Sequence, residues 1–205
     1  MNKIITVGRE FGSGGREFGY RLAETLGYAY CDQEIVSEIV NRTAFSERYI
    51  QQILERKPTI SFPIHIGRTL HTVPSPMLEQ STLLYQKQCE VIREMAEKSN
   101  CVIVGRCADH ILRERHPFRF FVYADIESRI KRCREKEPEH ENLTDRELRK
   151  RILDVDRQRS RYYGLYTDHT WGDRINYDLC INTTNTSIRE IVTALSMLFM
   201  SQMQE

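Results

Sequence analysis

No stretch of this 205-residue chain approaches the roughly 18 apolar residues that a membrane-spanning helix needs. Its first residues run directly into a strand-like segment, with no basic leader ahead of a long apolar core. The expectation is a cytoplasmic protein with no membrane partner. Excess charge is also missing: 30 Lys and Arg face 29 Asp and Glu, a formal net charge of +1. That balance leaves no general coat for nucleic acid and confines anion recognition to local clusters. The six cysteines, Cys31, Cys89, Cys101, Cys107, Cys133 and Cys180, contain no C-x-x-C pair, and several lie in apolar runs, so they read as reduced core thiols. None of the histidines, His65, His71, His110, His116, His140 and His169, keeps metal-ligand spacing with cysteine or carboxylate, which speaks against zinc.

What is present is alternation of strand and helix patterns. Ile4 to Val7, Tyr28 to Cys31, Cys101 to Val104, Phe118 to Tyr123 and Asp178 to Asn182 are short apolar or β-branched runs of the kind buried on both faces of a parallel sheet. Between them, Phe18, Leu22 and Leu26 recur at helical spacing before Gly27, and a helix start at Ser75-Pro76 leads an apolar face as far as Lys98. Thr144-x-x-Glu147 and Ser187-x-x-Glu190 match the capping box. The predicted fold is a single three-layer α/β/α domain around a parallel five-stranded sheet. Two regions fit less well: residues 57–76, with four prolines and an alternating Ile60, Phe62, Ile64, Ile66 series, and residues 129–174, dense in arginine and acid. Both read as flaps over a site.

The chemistry concentrates in GREFGSGGREFG, Gly8 to Gly19, where five glycines follow a buried strand and open a helix. A turn of this kind leaves backbone N–H groups unpaired at a helix N-terminus, which suits an anion. The pattern G-x-x-x-x-G-K-[ST] is not met. With Gly12-Ser13-Gly14 laid on the G-S-G of a common phosphate loop, Gly15 takes the lysine position, Arg16 the Ser/Thr position, and Arg9 the place of the first glycine. Arg16 can supply positive charge but cannot ligate a metal.

ITVGREFGSGGREFG followed by RLAETLGYAYCD resembles the opening of the cytidylate kinase-like family, a divergent branch of the P-loop nucleoside monophosphate kinases. VIVGR (Val102 to Arg106), FFVYADIESRIKRC and NYDLCINTT (Asn176 to Thr184) resemble the family's third strand, its strand and helix leading to the lid, and its last strand. The resemblance implies a core of residues 1–44, 99–128 and 175–205, a helical monophosphate-binding insertion at about 45–98 and an Arg-rich lid at about 129–174. It implies ATP and Mg2+ as cofactors, nucleotide substrates, and transfer of the γ-phosphoryl group to a monophosphate, CMP or dCMP first. Carried over by position, Gly12, Ser13, Gly14, Gly15, Arg16 and Glu17 surround the ATP phosphates, with Arg129 and Arg132 on the same side. Asp32, Arg42, Arg106 and Asp109 fall on the acceptor side. The family's acceptor arginine after Asp32 is Glu38 here, and Arg42 is the first arginine beyond it.

Phosphoryl transfer needs positioning and charge neutralisation rather than a nucleophile from the protein. Arg16, with Arg157, Arg159 and Arg161 from DVDRQRSRYYG, are therefore the candidate catalytic cations. Arg157 and Arg161 share a helix face and Arg159 points elsewhere. No side-chain metal motif is present, so Mg2+ is expected through water, with Asp32 a candidate carboxylate to hold such a water. Asp109 reads equally as a site carboxylate or as a helix cap. A monomer or small homo-oligomer is expected. Two other readings stay open: a nucleotide-binding or regulatory module without turnover, and a kinase of another small metabolite.

Overall fold

The computed structural model describes residues 2–50, 76–136 and 143–201. The proline-rich segment 57–75, with His65 and His71, and also His140, lie outside the described residues. Five parallel strands form one sheet: β1 (Ile4–Arg9), β2 (Ala29–Cys31), β3 (Cys101–Val104), β4 (Phe118–Tyr123) and β5 (Leu179–Asn182). Their spatial order is β2-β3-β1-β4-β5. The glycine loop therefore leaves the central strand, which pairs Ile4 with Cys101 on one side and Ile5 with Phe118 on the other. The last strand begins one residue later than its apolar pattern suggests. Asp178 is drawn to Arg119 instead, with its N–H donating to the Arg119 carbonyl at 2.8 Å and its carboxylate 2.7 Å from the guanidinium.

The described helices are α1 (Gly15–Leu26), α2 (Gln33–Arg42), α3 (Pro76–Lys98), α4 (Ala108–Ile111), α5 (Ile126–Lys136), α6 (Asp145–Tyr166) and α7 (Ile188–Ser201). α1 and α7 cover one face of the sheet, where Phe18 and Leu22 are fully buried against Val102, Phe120 and Val192. Phe18 meets Phe120 edge-on at 5.1 Å. Gly19 lets α1 approach the sheet, since a methyl group there would lie 2.8 Å from Val104 Cγ2. The other face carries α2, α3, α4 and the tyrosines of α6, with Ile35, Ile39, Leu84, Ile92 and Ile103 buried together. Each such side chain contributes about 1.5–3 kcal/mol by leaving water.

The Thr144 capping box forms as the spacing predicts: the Thr144 hydroxyl accepts the Glu147 N–H, and the Glu147 carboxylate accepts the Thr144 N–H at 2.8 Å. It starts α6, whose Leu148 and Ile152 pack on Ile130 of α5 and on Phe11 of the glycine loop. The cysteines are free thiols, with Cys31, Cys101 and Cys107 buried. Cys180 is exposed rather than in the core, because β5 is an edge strand and turns that residue outward. No described helix is long and apolar enough to cross a membrane.

Candidate phosphate-binding site

The loop between β1 and α1 sits at the carboxyl end of the central strand, where open parallel sheets place their ligands. Gly12 (φ 76°) and Gly14 (φ 82°) are left-handed, a conformation that costs other residues about 1–2 kcal/mol. Space excludes a side chain as well: a methyl group at Gly14 would lie 2.3 Å from Ile188 Cδ1, and one at Gly12 3.0 Å from the Arg129 carbonyl. Ser13 is buried, donates its hydroxyl to the Glu10 carbonyl at 2.8 Å, and accepts the Thr183 hydroxyl on its own carbonyl at 2.7 Å. It fastens the loop and presents no hydroxyl to a ligand. Gly14 caps α1 without a side-chain bond, so the first-turn N–H groups keep their partial positive charge for an anion. Glu17 stands on the flank of that turn, 2.9 Å from Arg21.

A second set of contacts holds the loop from α5 and α6. The Phe11 N–H donates to Asp156 Oδ1 at 2.7 Å, and the Phe11 carbonyl accepts Arg129 Nε at 2.7 Å. Arg129 and Asp156 are themselves paired, and Arg129 also meets Glu10 at 3.1 Å. Burial pushes the Glu10 carboxyl upward, against the pull of Arg129. Arg132 donates to the carbonyls of Gly12 and Thr183. Arg129 and Arg132 are thus both at the loop, holding its backbone.

Between the loop and the end of β3 lies an arginine cluster centred on Arg9. Asp32 is buried at the N-terminus of α2, 2.6 Å from Arg16 Nε and 3.8 Å from Arg9 Nη2, and its Oδ1 has no hydrogen-bond partner. Arg159 donates to the Arg9 carbonyl at 3.0 Å and lies over the Phe11 ring at 5.7 Å. Arg106 occupies a strained turn in which Gly105 (φ 73°), Arg106 (φ 60°) and Cys107 (φ 54°) are all left-handed. Gln88 Nε2 pins that turn at the Arg106 carbonyl (2.9 Å), while buried Arg106 Nε has no partner. Burial, and then the like charge of Arg159, push the Arg9 guanidinium down to about 9, with Asp32 pulling the other way. A cavity of about 60 Å³ opens here, bordered by Arg9, Arg106, Asp109, Arg159, Tyr163 and Trp171.

Of the candidate catalytic arginines of α6, Arg159 alone borders this cavity. Arg157 pairs with Asp154 at 2.9 Å on the exposed face of α6, and Arg161 is exposed. The guanidinium of Arg42 is engaged by Glu38 (2.6 Å) and Glu94 (2.7 Å). Asp109 does not cap α4, because Cys107 holds the cap position and Asp109 lies within the first turn. Its carboxylate accepts the Tyr163 hydroxyl at 2.7 Å, and burial pushes the carboxyl upward against that hydrogen bond. Sequence reasoning missed Arg9, Gln88, Asp156 and Thr183 as site-building residues. Only Arg9 carried a signal, being a cation where the pattern expects glycine. Among the described residues, no group of three or more His, Cys, Asp or Glu is arranged to hold a metal ion.

Solved structures share this architecture. An uncharacterized protein from Eubacterium ventriosum is 24% identical, with a TM-score of 0.68 over 95% of this chain and 96% of that one. Shikimate kinase from Bacteroides thetaiotaomicron is 16% identical, with a TM-score of 0.56 over 96% and 98%. Shikimate kinase from Acinetobacter baumannii, solved with shikimate, is 18% identical, with a TM-score of 0.53 over 98% and 94%. At these identities the likeness is one of fold, that of the P-loop kinases. No curated protein sequence matches the chain. Residues 4–185 match the cytidylate kinase-like family, and the chain belongs to that family of P-loop kinases.

Proposed function

We propose that the chain transfers the γ-phosphoryl group of ATP to the phosphate of a nucleoside monophosphate, with CMP or dCMP the first candidate. One observation carries the reading: behind the left-handed Gly12 and Gly14, α1 begins without a side-chain cap, beside a buried Arg9 on which Arg159, Arg106 and Arg16 act as like charges. The backbone N–H groups of Gly12, Gly14, Gly15 and Arg16 would cradle the β- and γ-phosphates. Arg16, with its side chain 60% exposed, lies at the mouth of the site, and Arg159 approaches from α6. An acceptor oxygen attacks the γ-phosphorus in line, the bond to the β,γ-bridging oxygen breaks, and ADP leaves with the released negative charge facing these cations. Arg106 and Asp109 would meet the acceptor, residues 45–98 would form its insertion and residues 129–174 the lid.

The residues fit magnesium in one manner only. Mg2+ commonly keeps several waters and takes one or two carboxylates beside substrate phosphates, and the unpartnered Oδ1 of Asp32 is suited to hold such a water. When bound, the ion would neutralise β- and γ-oxygens. A coupled ATP-consumption assay over a panel of monophosphates, run beside direct ATP binding, tests the reading. Turnover on one acceptor, lost in Arg16→Ala with folding intact, is the expected result. ATP binding with no turnover on any acceptor would select a regulatory nucleotide-binding module, which the missing loop lysine and hydroxyl favour. Adding small hydroxyl compounds to the panel would expose a metabolite kinase.

A further inference from the structure

Two departures of the loop from the common phosphate-loop pattern are coupled in space. Gly15, where the lysine belongs, does not need glycine for its backbone, since its φ is not positive. It needs glycine for room: a methyl group there would lie 2.4 Å from Arg9 Cβ and 3.0 Å from Arg9 Cγ. Arg9 stands where the pattern has its first glycine, and its stem fills the space through which a side chain at position 15 would leave the loop. The far end of Arg9 is accommodated by another glycine. A methyl group at Gly105 would fall 1.6 Å from Arg9 Nη1 and 2.7 Å from Cζ, so the Nη1 end of the guanidinium abuts the turn after β3.

That guanidinium is placed for a ligand rather than for the fold. Its side chain is only 13% exposed, and its one ion pair among the described residues is with Asp32 at 3.8 Å, longer than a hydrogen bond. Arg159, Arg106 and Arg16 all act on it as like charges. An anion entering the cavity bordered by Arg9, Arg106 and Arg159 would relieve the repulsion that these like charges exert on Arg9.

We propose that Arg9 supplies the phosphate-neutralising charge that a lysine gives in a standard phosphate loop, and that the exchange is reciprocal, arginine at 9 requiring glycine at 15. The proposal rests on the reading that this loop holds the terminal phosphates of a nucleoside triphosphate. It predicts a specific pattern of rescue. Arg9→Gly removes the charge and empties the space. Gly15→Lys alone drives a lysine stem into the Arg9 stem. The double variant Arg9→Gly/Gly15→Lys restores both the first glycine and the lysine, with room for its side chain.

The test measures ATP and tripolyphosphate binding calorimetrically in the wild type, the two single variants and the double variant. Thermal melts of each protein without ligand accompany the titrations. Loss of a charge-assisted contact predicts roughly 10- to 100-fold weaker binding in Arg9→Gly. Gly15→Lys should also bind more weakly, and the double variant should return to within about threefold of wild type. Arg9→Met, which keeps the stem against Gly15, separates charge from packing: its melting temperature without ligand should equal or exceed that of wild type, while its gain on adding ATP shrinks. Undiminished binding in folded Arg9→Met, or a folded double variant no better than Arg9→Gly, would overturn the proposal. Because the readout is binding, absence of turnover on every acceptor would count against the kinase reading alone. Failure of the wild type to bind either phosphate compound would remove both.

Discussion

Replacing Asp156 by alanine should unfasten the phosphate loop, and the structure sets the size of the effect. Asp156 and Arg129 pair with side chains only 13% and 5% exposed, so solvent screens them little. The same carboxylate accepts the Phe11 N–H, and Arg129 donates to the Phe11 carbonyl, so the pair grips one loop residue at both of its polar groups. Removing one partner of a buried pair costs about 3–5 kcal/mol, because the remaining charge loses its compensation. Glu10 still meets Arg129 at 3.1 Å, which places the loss toward the lower end, about 3 kcal/mol. For a chain of this length each kcal/mol lowers the melting temperature by about 2–4 °C, so a fall of about 6–12 °C is expected. Asp156→Asn keeps an acceptor for Phe11 and should lose about half as much. Urea denaturation with a shared m-value gives the free energy, and the exposed Arg149 beside Glu127 provides a control whose alanine variant should stay within about 0.5 kcal/mol. An Asp156→Ala midpoint no lower than that of the control would show that the latch contributes nothing.

The turn after β3 gives a second test. With Arg106 at φ 60°, Arg106→Gly should be more stable than Arg106→Ala by about 1 kcal/mol, measured by denaturant melts; equal stabilities would mean that the left-handed turn stores no strain. Asp109 gives a pH dependence. Its folded-state carboxyl is raised by burial, so the folded protein holds that proton more tightly than the unfolded chain, and the stability linked to it is lost as pH rises from about 4 through the raised value. Asp109→Asn retains an acceptor for Tyr163 and should gain in melting temperature relative to wild type across that rise; a difference independent of pH would refute the assignment. On α6, if the chain turns over as proposed, Arg159→Ala should lower kcat by about 10²- to 10³-fold, the scale for losing one group that stabilises transition-state charge, while exposed Arg157→Ala stays within about twofold; equal losses would contradict the orientation of α6 seen here.

The legible parts of this chain are those in which neighbouring residues report one environment. Cys101–Val104 and Phe118–Tyr123 are readable as strands because burial on two faces requires contiguous apolar side chains. α1 is readable because Phe18 and Leu22 stand four apart and Gly27 stops it. Thr144 and Glu147 announce α6 because a capping box is made within four residues. The site resists such reading where its partners are remote. Nothing near Arg9 indicates that Gly105 will make room for its guanidinium, or that Gly15 is glycine on its account. Arg42 and Arg159 are the same residue type, yet Glu38 and Glu94 hold the first, whereas the second reaches Arg9. Sequence spacing places Arg157 and Arg161 together on a face; only tertiary packing decides which face of α6 meets the loop.

That choice of face joins two tasks. Asp156 and Arg159 are three residues apart and lie on one side of α6. The first holds Phe11 by its N–H, and the second packs its guanidinium over the Phe11 ring while donating to the Arg9 carbonyl. A single turn of helix therefore fixes the entry to the phosphate loop and delivers a cation beside Arg9. If α6 withdrew as a lid, it would take both contacts with it, leaving Arg9 with one fewer like charge but Phe11 without its carboxylate partner. Such a return of α6 would bring Arg159 against Arg9, a step opposed by their repulsion and favoured once an anion lies between them. On that lid reading phosphate occupancy and the position of α6 would be one equilibrium, and an anion-bound loop should protect the backbone of α6 from hydrogen exchange as strongly as it protects its own.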